Sequence, residues 1–147
     1  MKRLVLLMMI ALAPLIDGCT VHEDIGEDFN FPVEYRYYND TQHSLHLKMS
    51  ASKLHGNQWE EKEFLSADIP AGGVTYFTHR VDHGDGTFSS CSIIFDDGKE
   101  LKYHVKDGEK STDPLSPLSM IAYSIEWLSG TKVFSISITD EHYRLAE

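Results

Sequence analysis

The sequence predicts an all-β protein in which two sheets pack face to face, and three observations lead to that prediction. Beyond Phe31, hydrophobic residues recur at every second position, which is the spacing of a strand with one buried face. Short turn sequences rich in glycine, asparagine and aspartate separate these segments. The only stretch with a helical pattern is 140–145. A sandwich of about seven to eight antiparallel strands would bury the apolar faces economically.

Residues 1–18 have the organisation of a signal peptide. Lys2 and Arg3 precede an apolar run of 10 residues, Leu4–Ala13. This run is too short for a membrane-spanning helix, which needs roughly 20 residues. The ending IDGC resembles the bacterial lipobox apart from its aspartate, and the resemblance implies that Cys19 becomes the lipid-modified first residue of the mature chain. Several acyl chains on one residue would anchor the protein stably in a membrane.

Residues 19–30 are predicted to form an acidic tether. The sequence TVHEDIGEDFN carries four carboxylates and few apolar side chains, so little buried area would offset the entropy of ordering it. A cysteine followed by an acid-rich stretch also resembles the export signal of surface-exposed lipoproteins of the Bacteroidota, a group of Gram-negative bacteria. The resemblance implies an outer-membrane location facing outward. A plain solvated linker explains the same residues equally well.

The predicted domain covers residues 31–147. Its first strand runs from Val33 to Tyr38 and ends at the turn formed by Asn39 and Asp40. The next two strands form a hairpin that turns near Gly56 and opposes Lys53 to Glu61. In this register the inward pairs are Leu45 with Ile69, Leu47 with Ala67, and Met49 with Leu65.

Two further hairpins and one strand complete the prediction. A strand is expected at 74–81, after the turn 70–73. In the segment 91–105, the loop Asp96-Asp97-Gly98 places Ile93 opposite Leu101 and Cys91 opposite Tyr103. The final hairpin turns at Ser129-Gly130 and is predicted to bury an apolar face made of Ile121, Tyr123, Ile125, Trp127, Phe134, Ile136 and Ile138. The long connection 107–119 could cross between sheets, which favours an immunoglobulin-like arrangement.

Four features together resemble small Bacteroidota lipoproteins with an immunoglobulin-like β-sandwich domain. They are the acid-trailed lipobox, YNDT after the first strand, IIFDDGKELKY, and SISITDEHY near the C-terminus. The resemblance spans most of the mature chain, and its motifs are turns and core strands. It therefore implies a fold and an envelope location, and it brings no catalytic residues with it.

Charge and motif content narrow the function classes. The chain has 13 Lys and Arg residues against 23 Asp and Glu residues, a net charge of −10, so it would repel a nucleic-acid backbone. The sequence contains no GxSxG, HExxH or glycine-rich phosphate loop. We therefore predict a non-enzymatic protein without a cofactor. Its expected contacts are the membrane, through the lipid anchor, and a protein or glycan partner.

One cluster of polar residues raises a metal-binding or hydrolytic alternative. His79, Asp82, His83 and Asp85 fall within seven residues in THRVDHGDG. On an extended strand, His79 and His83 would lie about 13 Å apart, which is too far for one ion. The spacing also misses the calcium-loop pattern. We interpret the cluster as a turn with polar side chains and predict no metal.

Aromatic residues supply the binding candidates. Trp59 follows a hairpin turn, where few core contacts exist, and is the first candidate for an exposed aromatic contact. Tyr35 and Tyr37 are also candidates, because the strand VEYRYY cannot turn all its tyrosines inward. Trp127, opposite Lys132, is expected in the core or at a cation-stacked rim. The predicted role is a membrane-anchored binding or accessory module. The alternative is a structural subunit that pairs through an edge strand.

Overall fold

This computed structural model describes residues 32–80, 87–106 and 109–147. These residues form eight strands. A 3-10 turn at Met120–Ala122 and a C-terminal helix α1 at Asp140–Leu145 accompany them. The helix lies where its pattern predicts it. In chain order, the strands are β1 (Pro32–Asn39), β2 (Leu45–His55), β3 (Gln58–Ile69), β4 (Val74–Arg80), β5 (Thr87–Phe95), β6 (Glu100–His104), β7 (Ser124–Leu128) and β8 (Thr131–Ile138).

The strands form two four-stranded sheets, so the predicted all-β sandwich is confirmed. The first sheet has the order β4-β1-β8-β7, and the second has the order β3-β2-β5-β6. Among the described strands, every pairing is antiparallel except that of β1 with β8, which is parallel. The alternating inward side chains of both sheets meet in one core, with Tyr37, Leu47, Met49, Ile93 and Ile138 at its centre.

The β2–β3 hairpin has the predicted register near the core and a shifted one near its tip. Met49 opposes Leu65 as expected, but Ser50 opposes Glu63, so Phe64 is an extra residue in β3. This bulge moves the pairing by one position, and Lys53 therefore faces Glu60 instead of the predicted Glu61. The ring of Phe64 packs inward, with its centroid 5.0 Å from that of Phe77 and 5.2 Å from that of Phe88.

The β5–β6 hairpin confirms its prediction in full. Ile93 opposes Leu101 and Cys91 opposes Tyr103. Gly98 has a φ of +89° in the connecting loop, a conformation that a side chain would disfavour.

The last hairpin confirms its turn but not its buried face. Ser129 and Gly130 both have positive φ, and Ile125 opposes Phe134 as predicted. However, the strand begins at Ser124, and Ile125 and Trp127 remain 51% and 57% exposed. The prediction of a wholly apolar buried face is therefore wrong here: β7 is the edge strand of its sheet, a position in which alternation alone does not ensure burial against the opposite sheet.

The long connection between β6 and β7 crosses from one sheet to the other, as predicted. Its end is fixed by the hydroxyl of Tyr123, which donates to the Pro117 carbonyl at 2.7 Å. The buried His142 of α1 holds the same segment, because its Nε2 donates to the Leu115 carbonyl at 2.9 Å. The Thr139 N–H donates to His142 Nδ1, so the imidazole is satisfied as its neutral Nε2–H tautomer.

Candidate functional site

Trp59 lies on β3 two residues after the Gly56-Asn57 turn and is 41% exposed. Its partner across the hairpin is Leu54, which is also exposed. Two neighbouring apolar side chains in water form a small contact surface. The structure thus places Trp59 at the surface, where the sequence predicts an exposed aromatic residue.

A cleft of about 300 Å³ opens beside Trp59 on the solvent-facing side of the second sheet. Ser52 from β2, Glu61 from β3, His104 from β6 and Lys106 line it together with the indole. The cleft therefore combines an aromatic wall with a carboxylate, an imidazole, an ammonium group and a hydroxyl. This volume lies at the lower end of the range of small-molecule sites.

The Glu61 carboxylate is held in place by two consecutive serines. Ser89 and Ser90 both donate to Glu61 Oε1, at 2.9 and 2.6 Å. Consecutive residues of a regular strand point to opposite faces, but Ser89 is the extra residue of a bulge in β5. The bulge lets both hydroxyls reach one oxygen atom.

These contacts favour the ionised form of the Glu61 carboxyl. The hydrogen bonds from Ser90 and Ser89 lower the pKa of the Glu61 carboxyl, and the nearby His104 adds a smaller effect in the same direction. A carboxylate that is already oriented loses little entropy when it accepts a further hydrogen bond from a ligand.

Tyr35 lies on the inner side of β1 and packs in an aromatic cluster. Its ring stacks on Phe134 at 5.1 Å and meets Phe88 edge-on at 5.1 Å. Together with Leu118 and Met120, Tyr35 and Phe88 line an open groove of about 380 Å³ near the 3-10 turn. Tyr35 is therefore partly reachable, as one wall of an apolar groove.

Tyr37 is withdrawn as a contact candidate. The residue is 0% exposed and lies in the centre of the core, because it faces the same inner side of β1 as Val33 and Tyr35. Its hydroxyl oxygen is 3.5 Å from that of Tyr123. The outward tyrosine of this strand is Tyr38, which the alternation makes the solvent-facing member.

The edge strand β7 forms a second exposed apolar surface. Ile125 and Trp127 share its inner face, and Met120 and Ile121 precede it in the 3-10 turn; all four are exposed. Trp127 opposes Lys132 and is 57% exposed, so the core alternative for Trp127 is wrong and its position is at the rim. Because β7 pairs only with β8 among the described strands, its other side is open to another strand.

Ser66, His46 and Asp68 form a hydrogen-bonded chain on the outer face of the second sheet. His46 Nδ1 donates to Asp68 Oδ1 at 2.6 Å, and its Nε2 is 3.1 Å from Ser66 Oγ. The order resembles a serine-hydrolase triad, but the Asp68 side chain is 91% exposed. Water stabilises such a carboxylate and screens it, so it would support an imidazolium poorly. We interpret the chain as a cross-strand surface contact.

The metal alternative is not supported by the residues that can be described. In the ranges 32–80, 87–106 and 109–147, no group of three or more His, Cys, Asp or Glu side chains is arranged to hold a metal ion. His79 lies on β4 opposite Val33. Asp82, His83 and Asp85 lie outside the described residues, as does the predicted lipidation site Cys19.

Comparisons with known proteins found no relative of this chain. No family model, no curated protein and no solved structure matches it. Within the described ranges, no helix is long and apolar enough to cross a membrane.

Sequence reasoning found Trp59 but missed the polar residues that surround it. Glu61 is two positions from Trp59 on the same strand, so alternation alone could have placed both on one face. His104 could be assigned to a polar face of its strand. Its proximity to Glu61 depends on the order β3-β2-β5-β6, in which two strands separate them.

Proposed function

We propose that this protein is a non-enzymatic binding module held at the bacterial outer membrane by a lipid on Cys19. The single observation that carries the binding role is the cleft in which Trp59 stands beside the oriented Glu61 carboxylate. An exposed aromatic residue next to fixed polar groups is the usual composition of a recognition site. The lipid anchor rests on the sequence of residues 1–30.

The binding role is tested with the full chain displayed on membranes of a Gram-negative host. Glycan and peptide arrays are probed with vesicles that carry the wild type, Trp59→Ala or Trp127→Ala. We expect one class of array compound to retain the wild type and Trp127→Ala vesicles and to lose Trp59→Ala vesicles. Trp127 is the matched control because it is an exposed tryptophan in the other sheet. The proposal is contradicted if the arrays retain Trp59→Ala vesicles as well as wild-type vesicles, or if they retain no vesicles at all.

The anchor has a separate test. Cys19→Ser should move the protein from the membrane fraction to the soluble fraction, because a chain whose full sequence has a net charge of −10 is not attracted to an anionic bilayer. Mass spectrometry of the membrane-bound wild type should show acyl groups on Cys19. A Cys19→Ser protein that still pellets, with no acyl mass on the wild type, rules the anchor out.

A second candidate function is that of a structural subunit that pairs through an edge strand. The apolar surface of β7 favours it, since Ile125 and Trp127 are exposed beside an open strand edge. Ile125→Lys should then break an assembly seen by crosslinking on cells, while Trp59→Ala should leave it intact. A protein that shows no crosslinked species in either form counts against this second function.

A further inference from the structure

We infer that the cleft beside Trp59 binds a neutral saccharide, and this inference rests on the proposed binding function. The cleft brings together the exposed indole of Trp59 and several polar side chains, of which Glu61 is held by two hydrogen bonds, on the solvent-facing side of the second sheet. A sugar ring needs both, because its C–H faces are apolar and its edge carries hydroxyl groups.

Trp59 offers the apolar face. Its indole forms one wall of the cleft and remains 41% exposed, so a ring can lie against it without displacing core residues. The face of an indole is electron-rich and attracts the weakly positive C–H groups of a pyranose. Leu54, directly across the hairpin, extends the apolar surface beyond one ring.

Glu61 and His104 offer the polar groups. The two serine hydroxyls both donate to Oε1 of Glu61, and the inference assigns Oε2 to a ligand hydroxyl. His104 lies close enough to Glu61 to influence the carboxylate electrostatically. A carboxylate that accepts and an imidazole that donates suit the adjacent hydroxyl groups of a sugar, each of which both donates and accepts.

The charges favour a neutral ligand. Among the described residues that line the cleft, the carboxylate of Glu61 is matched by the ammonium group of Lys106, so these two opposite charges offset each other. A phosphorylated ligand or a nucleotide would meet a chain of net charge −10 with one lysine to hold it. The ammonium group of Lys106 would repel a basic peptide, and the carboxylate of Glu61 would repel an acidic peptide.

The size and shape of the cleft favour one ring of a longer chain. A volume of about 300 Å³ on the solvent-facing side of the sheet has room for a single sugar ring. An oligosaccharide can therefore extend over the outer face of the sheet while one residue occupies the cleft. With few contacts per ring, we expect dissociation constants on the order of 1 mM.

The test uses the full chain in detergent with Trp127→Phe, so that Trp59 is the reporter. Maltotriose, cellotriose and N,N′,N″-triacetylchitotriose are titrated to about 10 mM, an excess over the expected dissociation constant. At least one should change the Trp59 emission in a saturable way. Saturation-transfer NMR then compares saccharide binding by the variants, because Trp59→Ala lacks the tryptophan whose emission reports binding.

We expect Trp59→Ala and Glu61→Gln each to weaken saccharide binding at least about tenfold, while Trp59→Phe retains part of it because a smaller ring still stacks. Glu126→Gln on β7 is the matched control and should bind like the parent. Circular dichroism and the thermal midpoint establish that each variant is folded.

The saccharide inference is overturned if none of the three trisaccharides and no glycan on the array binds, or if binding ignores both Trp59 and Glu61. If the peptide array meanwhile shows a Trp59-dependent ligand, the binding function stands and only the saccharide class is wrong. If no Trp59-dependent ligand exists on either array, both proposals fail together.

Discussion

Replacing Asn39 should destabilise the domain strongly, although Asn39 touches no part of the candidate site. The residue ends β1, is 0% exposed, and connects three segments through its side chain. Its amide nitrogen donates to the carbonyls of His43, Ile69 and Pro70 at 2.8, 3.0 and 3.0 Å. Its Oδ1 accepts from the N–H and the hydroxyl of Thr41 at 3.1 and 2.8 Å.

The expected cost follows from those partners. Asn39→Ala removes all five contacts and leaves the buried Ile69 carbonyl without its side-chain donor. A net contribution of about 1 kcal/mol from hydrogen bonding at each end of the side-chain amide, and about 1–3 kcal/mol for a buried carbonyl left without its donor, give a loss of about 3–5 kcal/mol. That is a large part of the stability of a domain this size, which is about 5–15 kcal/mol.

Asn39→Asp is the sharper variant because it conserves the shape of the side chain. It replaces the donating amide with a carboxylate oxygen that faces three carbonyl oxygens, and it buries a negative charge that keeps only the two Thr41 donors. We therefore expect Asn39→Asp to lower the free energy of unfolding more than Asn39→Ala does at pH 7. Urea unfolding followed by circular dichroism measures both.

Asn57→Ala, in the exposed hairpin turn, is the matched control and should change the stability by less than about 0.5 kcal/mol. A cost below about 1 kcal/mol for Asn39→Ala, or an Asp variant as stable as the wild type, would refute the role given to this amide.

Three further predictions concern buried and exposed groups. Burial raises the pKa of the Cys91 thiol, so a disulfide reagent should label Cys91 only in urea, and rapid labelling of the folded protein would contradict its core position. Burial also raises the pKa of Tyr37, whereas in the unfolded chain this tyrosine ionises near pH 10. The free energy of unfolding should therefore fall as the pH rises above 10. In Tyr37→Phe this fall should be less steep by about 1.4 kcal/mol per pH unit. Urea midpoints at pH 8 and 11 test this, with the exposed Tyr76→Phe unchanged. In Trp127→Phe, the Trp59 emission should lie near that of free tryptophan; a blue-shifted maximum would mean that the indole is buried.

The sequence predicted the hairpins because each depends on local information. Alternation specifies which side chains share a face, and the turn residue specifies which positions oppose each other. Gly98 and Gly130 both adopt positive φ at their predicted turns, and the pairs Ile93 with Leu101 and Ile125 with Phe134 follow. Such pairs need no knowledge of the rest of the fold.

The bulges could not be predicted in this way. The extra residue Phe64 fills space between the sheets against Phe77, and Phe77 comes from a strand of the other sheet. The extra residue Ser89 supports Glu61 from two strands away. Both bulges are fixed by non-local contacts, and the Glu61 cleft depends on the second of them.

The β7 surface shows what alternation leaves undetermined. Ile125 and Trp127 have the spacing of a buried strand, and they do share a face with the buried Phe134. Whether a second sheet covers that face depends on the position of the strand in the order β4-β1-β8-β7, which is not a local property. An edge strand with an uncovered apolar face is a contact surface in its own right. Since Trp59 belongs to the other sheet, the proposed ligand binding at the cleft and the proposed strand pairing at β7 should each be lost through a different single substitution, Trp59→Ala or Ile125→Lys.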